Sequence, residues 1–546
     1  MAEPLVVVGA GMGGLAAAIT AARGGRAVTV VEKADRLGGA LAYSGGQVWV
    51  GANHVQAREG MDDDIAAVMT YVRAIAESDP ELLDEQVAEA WVRLAPEAAR
   101  MFEDAGVIRW EIIPDYPDYY FPEAPGSAPR GRYLTGAPFA AERLGSWRDR
   151  LLPGPHFPSG VTYQEMFAWG GQSSKTAWDW DLIARRRDDG IMTFGHGIAA
   201  AFVVGAVAAG VELRTEHEVV ELLADDAGVH GVRCRTPDGT VDRRGTVVLA
   251  SGSYDWDEDA VARFSGLPWD ETGSVAPGSI AGDGLRLATD VGAALRVLPP
   301  RLAPHLPGYR LAAPQWPGDT GYRHCMEHCL PHTFVVNRAG RRFCDDSFHR
   351  ALIGNAVGAD GQTTENVPMF MVWDEDHHAK YGLGKVMPGD DYPEGLVVSA
   401  PSLRELGAKL GVDGDALEAT AARFNEHALL GADPDFGRGT NLSVQKFRGD
   451  TNHQPNPNLG PVARPPFHGL HLRLLGTGIS ASGLDTDADA RVRDRDGRPI
   501  PGLYAVGACA APSATGSGYN SGYSLSRAMT FGYVAARHAA RGSAAG

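Results

Sequence analysis

The segment that most constrains the fold lies at the start of the chain. An apolar run at 5–8 is followed by Gly9-Ala10-Gly11-Met12-Gly13-Gly14 and then by small, helix-forming residues to about residue 23. A second apolar run at 27–32 ends in Glu32, 18 residues after Gly14. Short apolar runs of this kind fit buried parallel strands. The segment therefore predicts one β-α-β unit.

The glycine spacing in this unit predicts a dinucleotide-binding loop. Gly9 permits a tight turn, Gly11 lets the backbone approach a pyrophosphate, and Gly14 lets the helix pack closely on the strand. The amino end of the helix adds free N–H donors and a positive dipole. Glu32 is spaced to accept hydrogen bonds from the adenosine ribose. This motif alone does not separate FAD from NAD.

Length and charge narrow the class of protein. A chain of 546 residues is long enough for two or more lobes, and its net charge of −18 argues against nucleic acid or an anionic membrane as a partner. Five cysteines are few for a chain of this length, and their odd number argues against a disulfide framework. This favours a reducing compartment. No signal-peptide pattern is seen, and no run approaches the ~20 apolar residues of a membrane span. We expect a cytoplasmic protein without a membrane span.

The residues after Glu32 carry a resemblance to a known family. They read Lys33-Ala34-Asp35-Arg36-Leu37-Gly38-Gly39-Ala40-Leu41-Ala42-Tyr43-Ser44-Gly45-Gly46. This segment resembles the FAD-binding family of fumarate reductase and succinate dehydrogenase flavoproteins, above all its 3-ketosteroid dehydrogenase branch. The resemblance implies non-covalent FAD, with its ribityl-pyrophosphate along this segment. The implied FAD contacts here are Gly9, Gly11, Gly13, Gly14, Glu32, Lys33, Gly38, Gly39, Ala40, Ser44, Gly45 and Gly46.

Later motifs follow the order that they have in the family. Val248-Leu249-Ala250-Ser251-Gly252, Gly282-Asp283-Gly284, the segment Asn337 to Phe343, Gly502 to Gly507, and 528–536 each resemble a family element. They add Ala250, Gly252, Asp283 and Gly507 to the implied FAD contacts, and Val219, in the strand-like run 217–223, is a further implied contact. One departure is Ala508-Cys509, where many relatives carry an acid or Asn against the ribityl chain. A backbone group could replace that contact.

The distribution of these motifs predicts the domain organisation. Alternating strands and helices fill the first part of the chain, and flavin-domain sequence returns near Leu484. We expect an α/β fold with a Rossmann-like FAD-binding domain made from both chain ends, 1–295 and 456–546. An α+β substrate domain at 296–455 would be inserted between them and cap the site.

Two tyrosine-bearing segments are candidates for the reaction site. Forming a C=C bond beside a ketone needs a base, donors to the carbonyl oxygen and a hydride acceptor. Tyr116-Pro117-Asp118-Tyr119-Tyr120 resembles a ketosteroid dehydrogenase segment, and we favour Tyr119 over Tyr120, with plain aromatic packing as the alternative. The loop 517–525 resembles the carbonyl-binding segment, which implies substrate roles for Tyr519, Ser521 and Gly522. Ser524 and Leu525 would then donate N–H groups to the flavin, or the loop would bind flavin only.

A third segment, Cys344 to His349, departs from the family pattern. Ketosteroid dehydrogenases carry a tyrosine base near its end, where this chain has Phe348 and His349. We favour His349 as the base because imidazole accepts a proton at neutral pH, with a structural role as the alternative. The His324-Cys325 and His328-Cys329 pairs have metal-ligand spacing, but we expect no metal and interpret them as lining or packing.

Three functions remain open from the sequence. The favoured one is an FAD-dependent dehydrogenase that forms a C=C bond beside the ketone of a 3-ketosteroid or similar bulky hydrophobic substrate. The alternative is a fumarate-reductase-like enzyme that reduces an activated alkene. Its H-G-x-N-R-x-G-G segment is replaced here by the uncharged Gly518-Tyr519-Asn520-Ser521-Gly522-Tyr523. A flavin-binding sensor without turnover is the third, and the electron acceptor and oligomeric state stay undetermined.

Overall fold

The two ends of the chain meet in one sheet. The computed structural model describes residues 3–316 and 318–542. Neighbouring strands of the first sheet are parallel except for one antiparallel edge strand. In spatial order the strands are Arg491–Arg493, Pro499–Ala505, Thr246–Leu249, Leu5–Val8, Val28–Val31 and Glu212–Arg214. The Rossmann-like α/β architecture predicted from the sequence is confirmed.

Small residues let the first and last helices pack closely beside this sheet. Met12–Arg23 and Tyr523–Gly542 share one hydrophobic core with Phe194–Ala208. A Cβ atom added at Gly532 would lie only 2.4 Å from the carbonyl oxygen of Gly13. A side chain at Gly532 would therefore separate the two helices. The other face of the sheet carries the antiparallel strands Glu218–Asp225, Gly228–Thr236 and Gly239–Arg244.

The middle of the chain forms a second, antiparallel sheet. Its strands, in spatial order, are Tyr322–His324, Leu306–Arg310, Phe467–Leu475, Met369–Trp373 and Thr333–Asn337, and Val398–Ala400 also pairs with the third of these. Helices of this part are His349–Ala356, Glu375–Tyr381, Leu403–Leu410, Gly414–Ala428 and Leu442–Phe447. The division at 295 and 455 stays a proposal. Because Phe467–Leu475 lies inside this sheet, we place the second boundary after Leu475.

A buried ion cluster fixes the region that carries Tyr119. The helices Ile65–Ile75 and Glu85–Asp104 and the small sheet of Val48–Trp49, Trp110–Ile112 and Tyr133–Gly136 surround it. Arg132 bonds Asp63 at 2.7 Å and Asp118 at 2.8 Å, and all three side chains are almost fully buried. Burial acts to lower the pKa of Arg132, but the two carboxylates raise it more. Removing one partner of such a cluster typically costs 3–5 kcal/mol, a rough figure, so the 116–120 loop is firmly anchored.

None of the helices within residues 3–316 and 318–542 has the length and apolar character that crossing a bilayer requires.

Candidate active site

A long pocket opens where the parallel strands of the first sheet end. Gly9, Glu32 and Ala250 each directly follow the last residue of such a strand, and all three line the pocket. Parallel strands bring their carboxyl ends to the same edge, so these residues converge. Ligands of open α/β sheets bind at this edge. The cavity inside has a volume of about 230 Å³.

The glycine-rich loop has the geometry that a pyrophosphate requires. Gly9 has φ +105°, and a Cβ there would lie 2.4 Å from the carbonyl oxygen of Ala250. A Cβ at Gly14 would lie 2.0 Å from the carbonyl oxygen of Gly9. At Gly11 a Cβ would meet no protein atom within 4 Å, and the residue lines the pocket. Two glycines thus hold helix against strand, and the third leaves open space at the helix amino end.

The carboxylate of Glu32 is held in place at the end of its strand. Its oxygens accept hydrogen bonds from the backbone N–H groups of Ala10 and Ala34, each at 3.0 Å. Burial raises the pKa of Glu32, while these N–H groups oppose the shift. A carboxylate offers about four acceptor sites, so capacity remains for ribose hydroxyls. The neighbouring Lys33 pairs with Asp283 at 2.5 Å.

Most of the residues predicted to contact FAD line this one pocket. They are Gly9, Gly11, Gly13, Glu32, Lys33, Gly39, Ala40, Ser44, Gly45, Gly46, Val219, Ala250, Gly252, Asp283, Gly507, Ser524 and Leu525. Gly14 and Gly38 lie outside the lining. Gly38 shapes the wall instead, since its N–H donates to the carbonyl of Ala10 at 3.1 Å with φ +116°. The residues present therefore fit FAD, and their individual contacts stay proposals.

Tyr119 and Tyr519 meet at the other end of the pocket. Their ring centroids are 6.2 Å apart, and Ser521 and Gly522 line the same wall. Burial raises the pKa of Tyr519. The Ser521 hydroxyl contacts the Gln47 side chain, which also lines the pocket. The segments that the sequence singled out separately are thus brought together.

Asn520 joins the two tyrosine segments, and sequence reasoning gave it no role. Its Oδ1 accepts hydrogen bonds from the Tyr71 hydroxyl at 2.8 Å and from the backbone N–H of Tyr119 at 2.9 Å. Its Nδ2 donates to the Tyr133 hydroxyl at 2.6 Å. The side chain is fully buried. Asn520 therefore fixes the distance between Tyr119 and the adjacent Tyr519.

His349 lies behind the two tyrosines and is not among the residues that line the pocket. Its ring centroid is 5.7 Å from that of Tyr119 and 6.1 Å from that of Tyr519. Burial lowers the pKa of His349 well below its ordinary value. Within the described residues its Nε2 has no hydrogen-bond partner. A role as base stays a prediction, and this placement favours packing.

Arg448 lies in the pocket wall, although no motif in the sequence pointed to it. It follows the helix Leu442–Phe447, whose Phe447 ring stacks on Tyr116 at 4.1 Å. Burial acts to lower the pKa of Arg448, but Tyr119, Cys329 and Tyr116 raise it overall. An arginine in irregular backbone gives no periodic signal. Only the packing of the inserted part on the FAD-binding part brings it to the site.

The His and Cys residues at 324–329 contact either the pocket or neighbouring backbone. His324 lines the pocket, and its ring packs against His156 at 5.6 Å. His328 Nδ1 contacts the carbonyl of Asp346 at 2.8 Å, and the Cys329 thiol donates to the carbonyl of Ser347 at 3.1 Å. These contacts fit the interpretation of lining and packing.

These features together define a flavoprotein site. The glycine loop lies at the helix amino end, Glu32 is held in place beside it, and the pocket continues from there to the two tyrosines. The family model described as FAD binding domain matches residues 5–526, and the chain belongs to this family.

Similar proteins agree with that assignment. The chain is 35% identical to 4-oxocyclohexanecarboxylate 2-dehydrogenase of Sinomonas cyclohexanicum, over 99% of this chain and 93% of the relative. It is 31% identical to 3-oxosteroid 1-dehydrogenase of Mycobacterium tuberculosis, over 98% of each. The crystal structure of 3-ketosteroid delta1-dehydrogenase from Sterolibacterium denitrificans, in complex with 1,4-androstadiene-3,17-dione, superposes with a TM-score of 0.89 at 27% identity, covering 99% of this chain and 100% of that one.

The fold, the pocket and these relatives together establish the class of enzyme. FAD is the cofactor, and the chain is an FAD-dependent oxidoreductase that acts on CH–CH groups. The predicted resemblance to the ketosteroid dehydrogenase branch is confirmed.

Proposed function

We propose that this enzyme removes two hydrogens from the CH–CH bond beside the carbonyl of a cyclic ketone and releases the α,β-unsaturated ketone. The observation that carries the proposal is the pair of phenols, Tyr119 and Tyr519, in the wall of the FAD pocket. Relatives named for 3-oxosteroid and 4-oxocyclohexanecarboxylate dehydrogenation support a cyclic ketone.

The ketone oxygen would be held by two donors, the Tyr519 hydroxyl and the backbone N–H of Gly522. Within the described residues no acceptor is seen for that N–H, and Gly522 lines the pocket. The Gly522 carbonyl accepts from the N–H groups of Trp49 at 3.2 Å and Ser526 at 3.0 Å, which fixes the peptide. Since burial raises the pKa of Tyr519, its phenol stays protonated and can donate. Such preorganised donors stabilise enolate charge as it develops.

Tyr119 is the group that we assign to the α-proton. It lies across from Tyr519, with the two ring centroids 6.2 Å apart in the pocket wall. When bound, FAD supplies the acceptor for the hydride that leaves the β-carbon. The α C–H bond thus gives its proton to Tyr119 acting as a phenolate, which becomes the neutral phenol, the β C–H bond loses its hydrogen with both electrons, and the C=C bond forms.

Anaerobic mixing tests the proposed function. The enzyme is mixed without oxygen with a 3-ketosteroid, with 4-oxocyclohexanecarboxylate and with 4-methylcyclohexanone, and the visible flavin absorbance is followed. We expect bleaching with at least one ketone and a product that is lighter by two hydrogens. A flavin that stays oxidised with all of them contradicts the proposal.

Reduction of an activated alkene is the second candidate, and Arg448 is the observation that favours it. A half-buried guanidinium beside two phenols could orient an acidic alkene. Chemically reduced enzyme is mixed with fumarate and with a cyclic enone, and flavin reoxidation is followed. Faster reoxidation by fumarate than by the enone favours this candidate over the dehydrogenase.

A further inference from the structure

A second cavity leads from the protein surface to the reaction end of the FAD pocket. Its volume is about 850 Å³. Exposed residues such as Trp180, Arg187 and Lys385 lie in its wall. It shares Phe157, Tyr163, Gln172, His324, Met326 and Arg448 with the FAD pocket. We interpret this cavity as the route and binding space of the substrate, with Arg448 at the junction.

The wall of this cavity is cationic in a chain whose net charge is −18. Its charged lining residues are Lys175, Arg187, Arg323, Lys385, Arg448 and a single acid, Glu327. Lys175 pairs with Glu327 at 3.1 Å, and Arg323 pairs with Asp319 at 2.6 Å. Among residues 3–316 and 318–542, no carboxylate pairs with the other three cations. Positive charge therefore remains at the rim and at the inner end.

Three buried arginines show what the half-buried Arg448 lacks among residues 3–316 and 318–542. Arg132, Arg342 and Arg438 each pair with at least one buried carboxylate. Arg527 is buried and pairs with no acid of the described residues, but its guanidinium donates to the carbonyl of Ala511 and it lines neither cavity. The neighbours of Arg448 are instead phenols and the Cys329 thiol. Arg448 is half-buried where the two cavities meet, and partial loss of water is costly for a guanidinium without an anion, so the structure leaves room for an anion from outside the chain.

We propose that the substrate is an anion, a cyclic ketone that carries a carboxylate, and that Arg448 binds this carboxylate. The inference rests on the proposed function and names the substrate class of that site. The ketone meets Tyr519 and Gly522, and the carboxylate meets the guanidinium through two parallel hydrogen bonds. Arg187 and Lys385 at the rim attract the anion into the cavity. The substrate therefore still has the apolar ring that the sequence predicts, and it carries a negative charge in addition.

Matched substrates and variants test Arg448. Turnover is measured with 4-oxocyclohexanecarboxylate and with its uncharged methyl ester, for wild type, Arg448→Met and Arg448→Lys. Arg93→Met, at an exposed helix position, is the control. We expect wild type to prefer the acid and Arg448→Met to lose about 100-fold in kcat/KM on the acid but under about 5-fold on the ester. Arg448→Lys should recover part of the loss.

A binding measurement separates the anchor from the chemistry. Cyclohexanecarboxylate has no ketone, so it reports carboxylate binding without turnover. Its Kd is measured from the change that it causes in the visible flavin spectrum, on variants that retain bound FAD. We expect Arg448→Met to weaken this Kd by about the same 100-fold factor and Arg93→Met to leave it unchanged.

Salt dependence tests the cationic rim. For the acid, kcat/KM should fall as ionic strength rises, and Arg187→Gln with Lys385→Gln should flatten this dependence. The ester should show no such effect in any variant.

Each contradictory result has a distinct meaning. If wild type turns over ester as well as acid, or if Arg448→Met lowers both equally, the anion inference is wrong and Arg448 serves the reaction itself. In both cases the dehydrogenase proposal stands. If no ketone in either form reduces the flavin, the proposed function itself is wrong.

Discussion

The pyrophosphate end and the reaction end of the FAD pocket are built in different ways. The first is made by 24 consecutive residues, Gly9 to Glu32, mostly through backbone atoms. The second combines Tyr119, Arg448 and Tyr519, which are separated by 71 to 400 residues in the chain. Backbone geometry at the first end is set by steric limits on single residues. Side-chain geometry at the second depends on how three segments pack.

The strongest test of this contrast is at the glycines of the first end. Gly14→Ala places a Cβ 2.0 Å from the carbonyl oxygen of Gly9, so we expect the helix to separate from the strand and the protein to fail to fold stably. Gly11→Ala meets no protein atom and points into the pocket, so we expect a folded protein with strongly reduced FAD content. Thermal unfolding and bound-flavin stoichiometry measure the two effects.

Gly278→Ala is the control for both glycine variants, because a Cβ there also meets no atom within 4 Å and the residue does not line the pocket. It should resemble wild type. Tight FAD binding by Gly11→Ala would show that the pyrophosphate does not approach this residue.

The sequence predicted the first end almost completely, and the reasons are local. Glycines at this spacing between a buried strand and a helix are typical of a dinucleotide-binding loop, and the acid at the end of the next strand completes the motif. The α/β class follows from the same alternation of strand and helix. Family order then extended this to Ala250 and Gly507, which line the pocket.

At the reaction end of the FAD pocket, the sequence identified the segments involved but not how their side chains are arranged. It could not choose between Tyr119 and Tyr120 on physical grounds, because both sit in one aromatic loop. The choice depends on Asn520, about 400 residues away, which bonds the backbone of Tyr119. His349 follows the motif position of a base, yet its helix points the ring behind the tyrosines. Arg448 has no motif at all.

Tyr519→Phe tests the carbonyl donor and should give the next largest effect. Loss of one donor to a developing enolate lowers kcat by about 100- to 1000-fold. FAD should stay bound and the fold intact, because within the part of the chain that the structure describes the Tyr519 hydroxyl makes no hydrogen bond to another residue. The measurement is the rate of anaerobic flavin bleaching at saturating ketone.

The control is four residues away, at the first position of the last helix. Tyr523 is fully buried, and within the described residues its hydroxyl has no hydrogen-bond partner, so Tyr523→Phe should react at nearly the wild-type rate. Equal rates in the two variants would remove Tyr519 from the mechanism.

Asn520→Ala tests whether the two tyrosine segments act as a unit. It removes hydrogen bonds to Tyr71, Tyr119 and Tyr133, so we expect a lower melting temperature and a kcat reduced by about 10- to 30-fold. Exposed Asn355→Ala is the control.

A double variant identifies the cause of this loss. If Asn520 acts by positioning Tyr119, then Asn520→Ala combined with Tyr119→Phe is little slower than Tyr119→Phe alone. Fully additive losses would mean that Asn520 only stabilises the fold.

His349→Gln should have the smallest effect on the reaction rate. At this residue the sequence motif suggests a base, whereas the structure places the side chain outside the pocket lining. Because burial lowers the pKa of His349 well below its ordinary value, the imidazole is neutral throughout the range from about pH 6 to pH 9 and does not titrate there. We expect bleaching rates within about 3-fold of wild type and a superimposable pH profile. If the wild-type bleaching rate depends on pH and this dependence disappears in His349→Gln, His349 is the base. The reaction site would then include a residue that lies behind the pocket wall.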